Sequence, residues 1–261
     1  MDIPIYQVDA FTNQVFSGNP AAVCLLQEWL SFEQMLQIAQ ENNLAETAYC
    51  LMQEDAFSIK WFTPEIEMDL CGHATLATAH VLFQYHFPDR NLLTFQSNSG
   101  ELNVSRKGDW YQLDFPSRVP VPSELPAVIL EGIGATPEQV LKARDYVLVF
   151  ETQEQIEAIQ PNVALLNTIN IDPGGIVVTA PGEEVDFVSR FFTPQASIFE
   201  DPVTGSAHCS LIPYWSRRLG KDQMMARQIS SRGGVLRVAD RGGRVLISGQ
   251  AVTYLQGSIK I

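Results

Sequence analysis

The sequence predicts an α+β fold made of two similar lobes, because the chain resembles itself in two places. Residues 61–64 read Trp-Phe-Thr-Pro, and residues 191–194 read Phe-Phe-Thr-Pro. A second pair of similar segments begins at Gly100 and at Gly234. Each half also combines several short strands with one long helix, which favours a mixed sheet that wraps its helix.

We therefore expect an N-terminal lobe over residues 1–117 and a C-terminal lobe over residues 118–261, whose last strand could pack back on the first lobe. The Pro-rich segment 116–126 interrupts both helical and strand periodicity, so it is the predicted linker.

Alternation and turn residues predict the elements of the first lobe. Ser31 followed by Gln34 is a capping-box pattern that begins a helix over 32–41. Residues 72–83, rich in Ala, Leu and Thr, predict a buried helix. The predicted strands cover 3–9, 21–26, 46–51, 57–62, 92–97, 101–105 and 110–115.

The second lobe is less regular in sequence. Its longest predicted helix covers 205–219 and ends at Gly220, after two cationic residues. Shorter helices are predicted around 137–142 and 154–159, strands at 175–180 and 186–192, and further strands close the lobe.

Composition narrows the class of protein. The 261 residues include 17 Lys and Arg against 30 Asp and Glu, and the net charge is −13 without any basic run. Nucleic acid and anionic membranes are therefore not expected partners. No signal-peptide pattern or apolar run of about 18 residues is present, so we expect a cytoplasmic protein. The four cysteines are widely spaced, which argues against a disulfide framework or a structural metal.

Two strand-to-helix corners are candidate sites, at residues 69–75 and 200–208. Helix N-termini leave N–H groups unpaired and favour anions, so a substrate carboxylate is the expected ligand. An ungapped alignment of the two Thr-Pro pairs places Cys71 opposite Asp201, which suggests a site across a pseudo-twofold axis. Ordinary capping by Thr75, Asp201 or Thr204 is the alternative.

Glu46 begins an apolar strand, and its carboxylate could serve as a general base that moves a proton on carbon. The alternative is a solvated strand end. His73, His80 and His86 do not have the i, i+4 spacing of helical metal ligands, so we expect no metal. We interpret His73 as a donor or acid to the substrate.

The remaining histidines are expected to have other roles. We interpret His80 and His86 as structural, and His208 as either a core or an orienting residue. Cys71 as a nucleophile would need a base and an oxyanion hole, and the chain lacks a cysteine-hydrolase signature.

An ordered set of motifs resembles the PhzF-like family of phenazine-biosynthesis proteins, which shares the fold of diaminopimelate epimerase. The resemblance extends over nearly the whole chain. The matching segments are Val8-Asp9-Ala10-Phe11, residues 18–23 and 43–48, Phe62-Thr63-Pro64, residues 71–75 and residues 200–208.

The resemblance implies a cofactor-free isomerase, commonly a homodimer, in which each lobe is a barrel-like sheet around a central helix and the site lies in the cleft. The phenazine enzyme acts on trans-2,3-dihydro-3-hydroxyanthranilate, and Glu46 takes the place of its proton-transferring glutamate. His73 and Asp201 would complete the catalytic set. The implied substrate-binding residues are Asn19, Cys71, Gly72, Gly205 and Ser206.

Two positions depart from the phenazine enzyme: Ala45 replaces a serine, and Cys71 stands where that enzyme has no thiol but the epimerase relatives have one. Changed substrate contacts can change substrate choice by orders of magnitude. The sequence therefore predicts a cofactor-independent isomerase for a small carboxylate-bearing substrate. The alternatives are a two-base epimerase that uses Cys71 and Asp201, and a non-catalytic small-molecule binding protein.

Overall fold

The computed structural model describes residues 1–52, 57–171 and 174–261. The chain divides into two compact units. One consists of Met1–Phe115 together with Leu246–Ile261, and the other is the continuous segment Pro116–Val245.

Within the described residues, the chain forms 18 strands and six α-helices. The strands are β1 (Asp2–Ala10), β2 (Asn19–Leu26), β3 (Glu46–Met52), β4 (Phe57–Phe62), β5 (Glu67–Met68), β6 (Leu92–Ser97), β7 (Gly100–Lys107), β8 (Trp110–Pro116), β9 (Val121–Pro122), β10 (Gln139–Lys142), β11 (Tyr146–Val149), β12 (Ile176–Pro181), β13 (Phe187–Phe192), β14 (Glu200–Asp201), β15 (Gln223–Gln228), β16 (Gly234–Asp240), β17 (Arg244–Gly249) and β18 (Ala251–Lys260). The helices are α1 (Phe32–Asn42), α2 (Gly72–Val81), α3 (Ala127–Ile133), α4 (Gln153–Glu157), α5 (Val163–Leu166) and α6 (Gly205–Leu219).

The sheet of the first unit pairs in the order β18-β1-β2-β3-β4-β6-β7-β8. The pairs β2/β3 and β4/β6 are parallel, and the others are antiparallel. Helix α2 lies inside this sheet: all its residues from His73 to Val81 are buried. A helix that is apolar all around needs such an enclosure, because no face of it favours water.

His80 shows that the sheet curves around α2. Its Nδ1 lies 2.9 Å from the Tyr111 hydroxyl on β8, and its Nε2 lies 2.9 Å from the Thr253 hydroxyl on β18. Six strands separate β18 from β8 in this pairing order, so one helical side chain contacts two strands that are far apart along the sheet. The structural role predicted for His80 fits these contacts.

The second unit repeats the pairing pattern of the first. Its sheet runs β9-β10-β11-β12-β13-β15-β16, again with two parallel pairs, β11/β12 and β13/β15. Helix α6 follows β14 as α2 follows β5, and its Trp215 is buried against Phe187 with the rings 5.6 Å apart. The α+β fold and the internal repeat are therefore confirmed.

The predicted equivalence of Cys71 and Asp201 is wrong. Phe62 pairs with Glu67, whereas Phe192 pairs with Glu200, so the second connection is three residues longer. With that insertion, Met68 corresponds to Asp201, and Cys71 corresponds to Thr204. Both of the latter are helix N-caps whose carbonyls accept a side-chain hydrogen bond four residues later, from Thr75 and from His208.

Two other predictions differ from the structure, and two short helices were not predicted. Residues 139–142 form strand β10 rather than a helix, because they pair with β11 and with β9. Helix α2 ends at Val81 and continues as a π-helical turn to His86. Helices α3 and α5 were not predicted, since each is short and lacks a strong periodic pattern.

A buried glutamine holds the start of α6 in place. The Gln228 side chain, on β15, is fully buried. Its Oε1 accepts from the Thr204 N–H at 2.9 Å, and its Nε2 donates to the Asp201 carbonyl at 2.7 Å. The Thr204 hydroxyl donates to the Asp201 carboxylate. The corner is thus fixed by a closed set of hydrogen bonds within the second unit.

The Gln228→Ala variant should lower the free energy of unfolding by about 1–3 kcal/mol, because it leaves the Thr204 N–H and the Asp201 carbonyl without this partner. Urea denaturation measures the change. Gln223→Ala, at the exposed start of the same strand, is the matched control and should change stability by less than about 0.5 kcal/mol. Equal effects in both variants would contradict the structural role of Gln228.

Acidification should destabilise the protein through His208. Complete burial lowers the pKa of His208 to about 4, and Nδ1 donates to the Thr204 carbonyl at 2.8 Å. Between pH 6.5 and 4 the unfolded chain binds the proton first, so the free energy of unfolding falls with pH by up to about 3 kcal/mol from this residue. Denaturation at several pH values should show a smaller decrease in His208→Gln. The same substitution at the exposed His86 should alter the decrease much less.

Candidate active site

Two neighbouring parallel strands place Asn19 and Glu46 at the same end of the first unit's sheet. Asn19 is the first residue of β2 and Glu46 the first of β3, and Ala21 pairs with Glu46. Gly18 makes the turn before β2 possible. Its φ is +65°, and a Cβ at this position would lie 2.1 Å from the Ala10 carbonyl oxygen, so only glycine fits.

The first turn of α2 brings two further side chains to this end of the sheet. Helix α2 packs against β2 and β3. Cys71 is its N-cap, without a side-chain capping bond, and His73 is two residues further on. Because the whole helix is enclosed, its first turn is held at the beginning of both strands.

The four side chains form a connected cluster centred on the imidazole of His73. Nε2 lies 3.0 Å from Glu46 Oε2, an ion-pair contact rather than an aligned hydrogen bond. Nδ1 lies 3.2 Å from Asn19 Nδ2 and 3.6 Å from Cys71 Sγ. Asn19, Cys71 and His73 are buried, whereas the Glu46 side chain keeps 15% of its surface exposed. Glu46 is therefore the member that a small molecule can reach most easily.

Burial and the neighbouring charges act in opposite directions on the imidazole. Burial by itself would lower the pKa of His73, but the charges of Cys71 and Glu46 raise that pKa well above its ordinary value. Burial raises the pKa of the Cys71 thiol, and Glu46 raises it further, while His73 opposes both. The pKa values of the ring and of the thiol are therefore both raised beside the carboxylate, and the two groups titrate as a coupled pair.

Glu46, Cys71 and His73 are also the one group of three potential metal ligands found among the described residues, with ligand atoms within 4.8 Å of one another. The ring, however, presents Nδ1 to the thiol and Nε2 to the carboxylate. The lone pairs of these nitrogens point to different sides of the ring, so only one of the two nitrogens could join the thiol and the carboxylate in binding an ion.

The predicted site residues thus fall into two groups. Asn19, Glu46, Cys71 and His73 lie together in the first unit, and Gly72 begins the helix that carries the last two. The other three predicted residues lie in the second unit: Asp201 on β14, and Gly205 and Ser206 in the first turn of α6.

Gln228, which supports Asp201 and Thr204, was not predicted from the sequence. A signal existed, because strand alternation places Gln228 on the same face as the buried Met224 and Ala226. A polar residue on an apolar face indicates a buried hydrogen-bonding role.

Comparison with known proteins finds relatives that match over nearly the whole chain. The model of the PhzC-PhzF family, described as phenazine biosynthesis-like protein, matches residues 8–257. A Pseudomonas aeruginosa protein named uncharacterized isomerase is 46% identical over 100% of both chains. A crystal structure of a phenazine biosynthesis protein of the PhzF family from Enterococcus faecalis has a TM-score of 0.95, with 44% identity and 100% coverage of both chains.

More distant structures share the fold alone. A probable proline racemase from Agrobacterium radiobacter K84 has a TM-score of 0.66 at 11% identity, covering 99% of this chain and 93% of its own. No helix of the described residues combines the length and apolar character needed to cross a membrane. The family match over nearly the full length, together with the closely similar structure, shows that the chain belongs to the PhzC-PhzF family of phenazine biosynthesis-like proteins.

Proposed function

We propose that the protein is a cofactor-independent isomerase that moves a proton on a small carboxylate-bearing substrate, with Glu46 as the acid/base. The observation that carries the proposal is the contact between the Glu46 carboxylate and the buried His73 imidazole at 3.0 Å. A carboxylate fixed in this way by a second titratable group can accept a proton from carbon and return it elsewhere.

The surroundings of Glu46 support this role over that of a solvated strand end. The other three members of the cluster, Asn19, Cys71 and His73, are buried. Strand pairing holds Asn19 and Glu46 in place, and the enclosed helix α2 holds Cys71 and His73. Such a site keeps the acid/base in a single geometry and reduces competition from water. A carboxylate at an ordinary strand end has no need of a buried imidazole.

The substrate class rests on relatives and on the chemistry of the site. Several relatives are named isomerases, and the family name refers to phenazine biosynthesis. We therefore propose a compound related to trans-2,3-dihydro-3-hydroxyanthranilate, whose carboxylate binds N–H groups at a helix N-terminus such as that of α2. Ala45 and Cys71 bring different groups to the site than the phenazine enzyme has, so a different member of this substrate class is expected.

The Glu46→Gln variant should reduce proton transfer by about 10²- to 10⁴-fold, because glutamine keeps the shape but cannot carry the proton. Proton NMR in D₂O measures deuterium incorporation into trans-2,3-dihydro-3-hydroxyanthranilate and into a panel of amino and hydroxy acids. Glu41→Gln, on the exposed end of α1, is the control and should retain full exchange. Full exchange in Glu46→Gln would refute the assignment.

The same assay distinguishes the two alternatives. In a two-base epimerase, Cys71→Ala would abolish exchange at a single stereocentre, and Cys71→Ser would lower it strongly. A binding protein would retain its ligands in Glu46→Gln and give no exchange in any variant. The 3.6 Å contact between Cys71 and His73 is the observation that keeps the epimerase under consideration.

Three further features belong to the proposal. Asp201 assists catalysis, so Asp201→Asn should lower exchange without changing the fold. The protein acts in the cytoplasm as a homodimer. Light scattering coupled to size-exclusion chromatography of the purified protein measures its molar mass and so tests for the dimer. No cofactor is needed, so exhaustive dialysis against a chelator should leave exchange unchanged.

A further inference from the structure

An exposed apolar surface of the first unit lies where the loop between β1 and β2 meets β18. Phe16 in the loop is 69% exposed and Tyr254 on β18 is 49% exposed, and their rings meet edge to face with centroids 5.6 Å apart. Their chain neighbours Val15 and Leu255 are exposed as well. We call these four side chains, together with residues 254–258 of β18, the β18 surface. Adjacent exposed apolar side chains of this size indicate an interaction site.

Both rings are held outside the core by unusual backbone conformations. Phe16 has a φ of +70°, which residues other than glycine rarely adopt, and its N–H donates to the buried Asp9 carboxylate at 2.9 Å. Tyr254 is the extra residue of a β-bulge, because the register of β18 with β1 shifts by one residue there. Bulges redirect side chains and recur at functional positions. The chain therefore fixes the positions of two rings that do not pack in the core.

The second half of β18 is uncovered along most of its length. Residues 254–258 are all exposed, although the residues of β1 that pair with this segment include the buried Ile5 and Tyr6. A strand with one covered face would alternate between buried and exposed residues. Because β1 occupies one edge of the segment, five exposed residues in succession indicate that the other edge is open to a further strand.

The β18 surface lacks the charges that usually protect an open strand. Residues 251–259 contain neither a charged residue nor proline, and residues 10–27, which include the loop, contain no charged residue. The chain as a whole has a net charge of −13, so two copies repel each other overall. Their approach costs least where both surfaces are uncharged. This favours a second copy as the partner, since a basic partner would favour the acidic parts of the chain.

We propose that two copies of the chain associate through the β18 surface, with β18 of one copy antiparallel to β18 of the other. The inference rests on the homodimer of the proposed function and names its interface. An antiparallel pair of identical strands is symmetric about a twofold axis, so the same surface serves both copies. The axis passes beside Gln256, the middle of the five exposed residues, and the Phe16 and Tyr254 rings form the apolar part of the interface.

The first test adds a charge beside the axis. Gln256→Glu should raise the dissociation constant of the dimer by about tenfold or more, because two carboxylates then face each other. Sedimentation equilibrium measures the constant, and about 1 M NaCl should reduce the effect by screening the charges. Gln223→Glu, at the exposed start of β15 in the second unit, adds the same charge elsewhere and should leave the constant unchanged.

The second test removes the aromatic contact. Tyr254→Ala should raise the dissociation constant by about 30-fold, the loss typical of an aromatic residue at the centre of an interface. Tyr254→Phe keeps the ring and should retain most of the affinity. Thermal unfolding of both variants, followed by circular dichroism, verifies that each is folded at the temperature of the measurement.

The third test detects the proposed strand pair directly. Facing residues of an antiparallel pair have Cα atoms about 4.5–5.5 Å apart, within the range that a disulfide bridges. Gln256→Cys should therefore form a covalent dimer on mild oxidation, whereas Gln223→Cys should not. The four native cysteines are buried, so they do not compete.

The outcomes separate this inference from the proposed function. A dimer that is equally stable in Gln256→Glu and Gln223→Glu, without a disulfide in Gln256→Cys, would overturn the interface and leave the homodimer standing. A wild type that is monomeric at every concentration would overturn the interface and the homodimer together. Neither result affects the assignment of Glu46, which the deuterium exchange assay tests independently.

Discussion

The enclosure of α2 by the sheet is the constraint on which the first unit depends. The helix has no polar face, and the sheet curves around it far enough for His80 to contact both β8 and β18. A helix held in this way cannot move its first turn independently. The positions of Cys71 and His73 are thus consequences of core packing, and both side chains are held in place without a ligand.

Much of the fold follows from local sequence patterns. The Ser31 and Gln34 capping box begins α1 as expected, and the predicted strands of the first unit lie close to those observed. The repeat also survives as a common pairing pattern. Residues 139–142 were misread because a short segment carries little periodicity, and its pairing partners decided its conformation.

The site itself is harder to read from sequence because it depends on long-range contacts. Glu46 and His73 are both identifiable as candidates, but their 3.0 Å contact depends on the parallel register of β2 and β3 and on the packing of α2. An ungapped alignment could not reveal that a longer connection precedes Asp201. Motifs identified the residue types, and only the three-dimensional structure showed which of them meet.

The two equivalent corners have become different in character. At Thr204 the hydroxyl, the Asp201 carboxylate and the Gln228 amide satisfy one another. At Cys71 the corresponding position carries a thiol that contacts a histidine. One copy of the duplicated corner is thus closed by its own hydrogen bonds, while the other places titratable groups side by side.

The pairing of β1 with β18 has a consequence for the folding of the chain during translation. The strand that completes the first unit's sheet comes from residues made after the whole of Pro116–Val245. The second unit is one continuous segment, so it can become compact first during translation. Until β18 has been synthesised, one edge of β1 remains unpaired. An exposed strand edge invites pairing with other chains. The first unit can therefore complete its sheet only after the second unit has been synthesised.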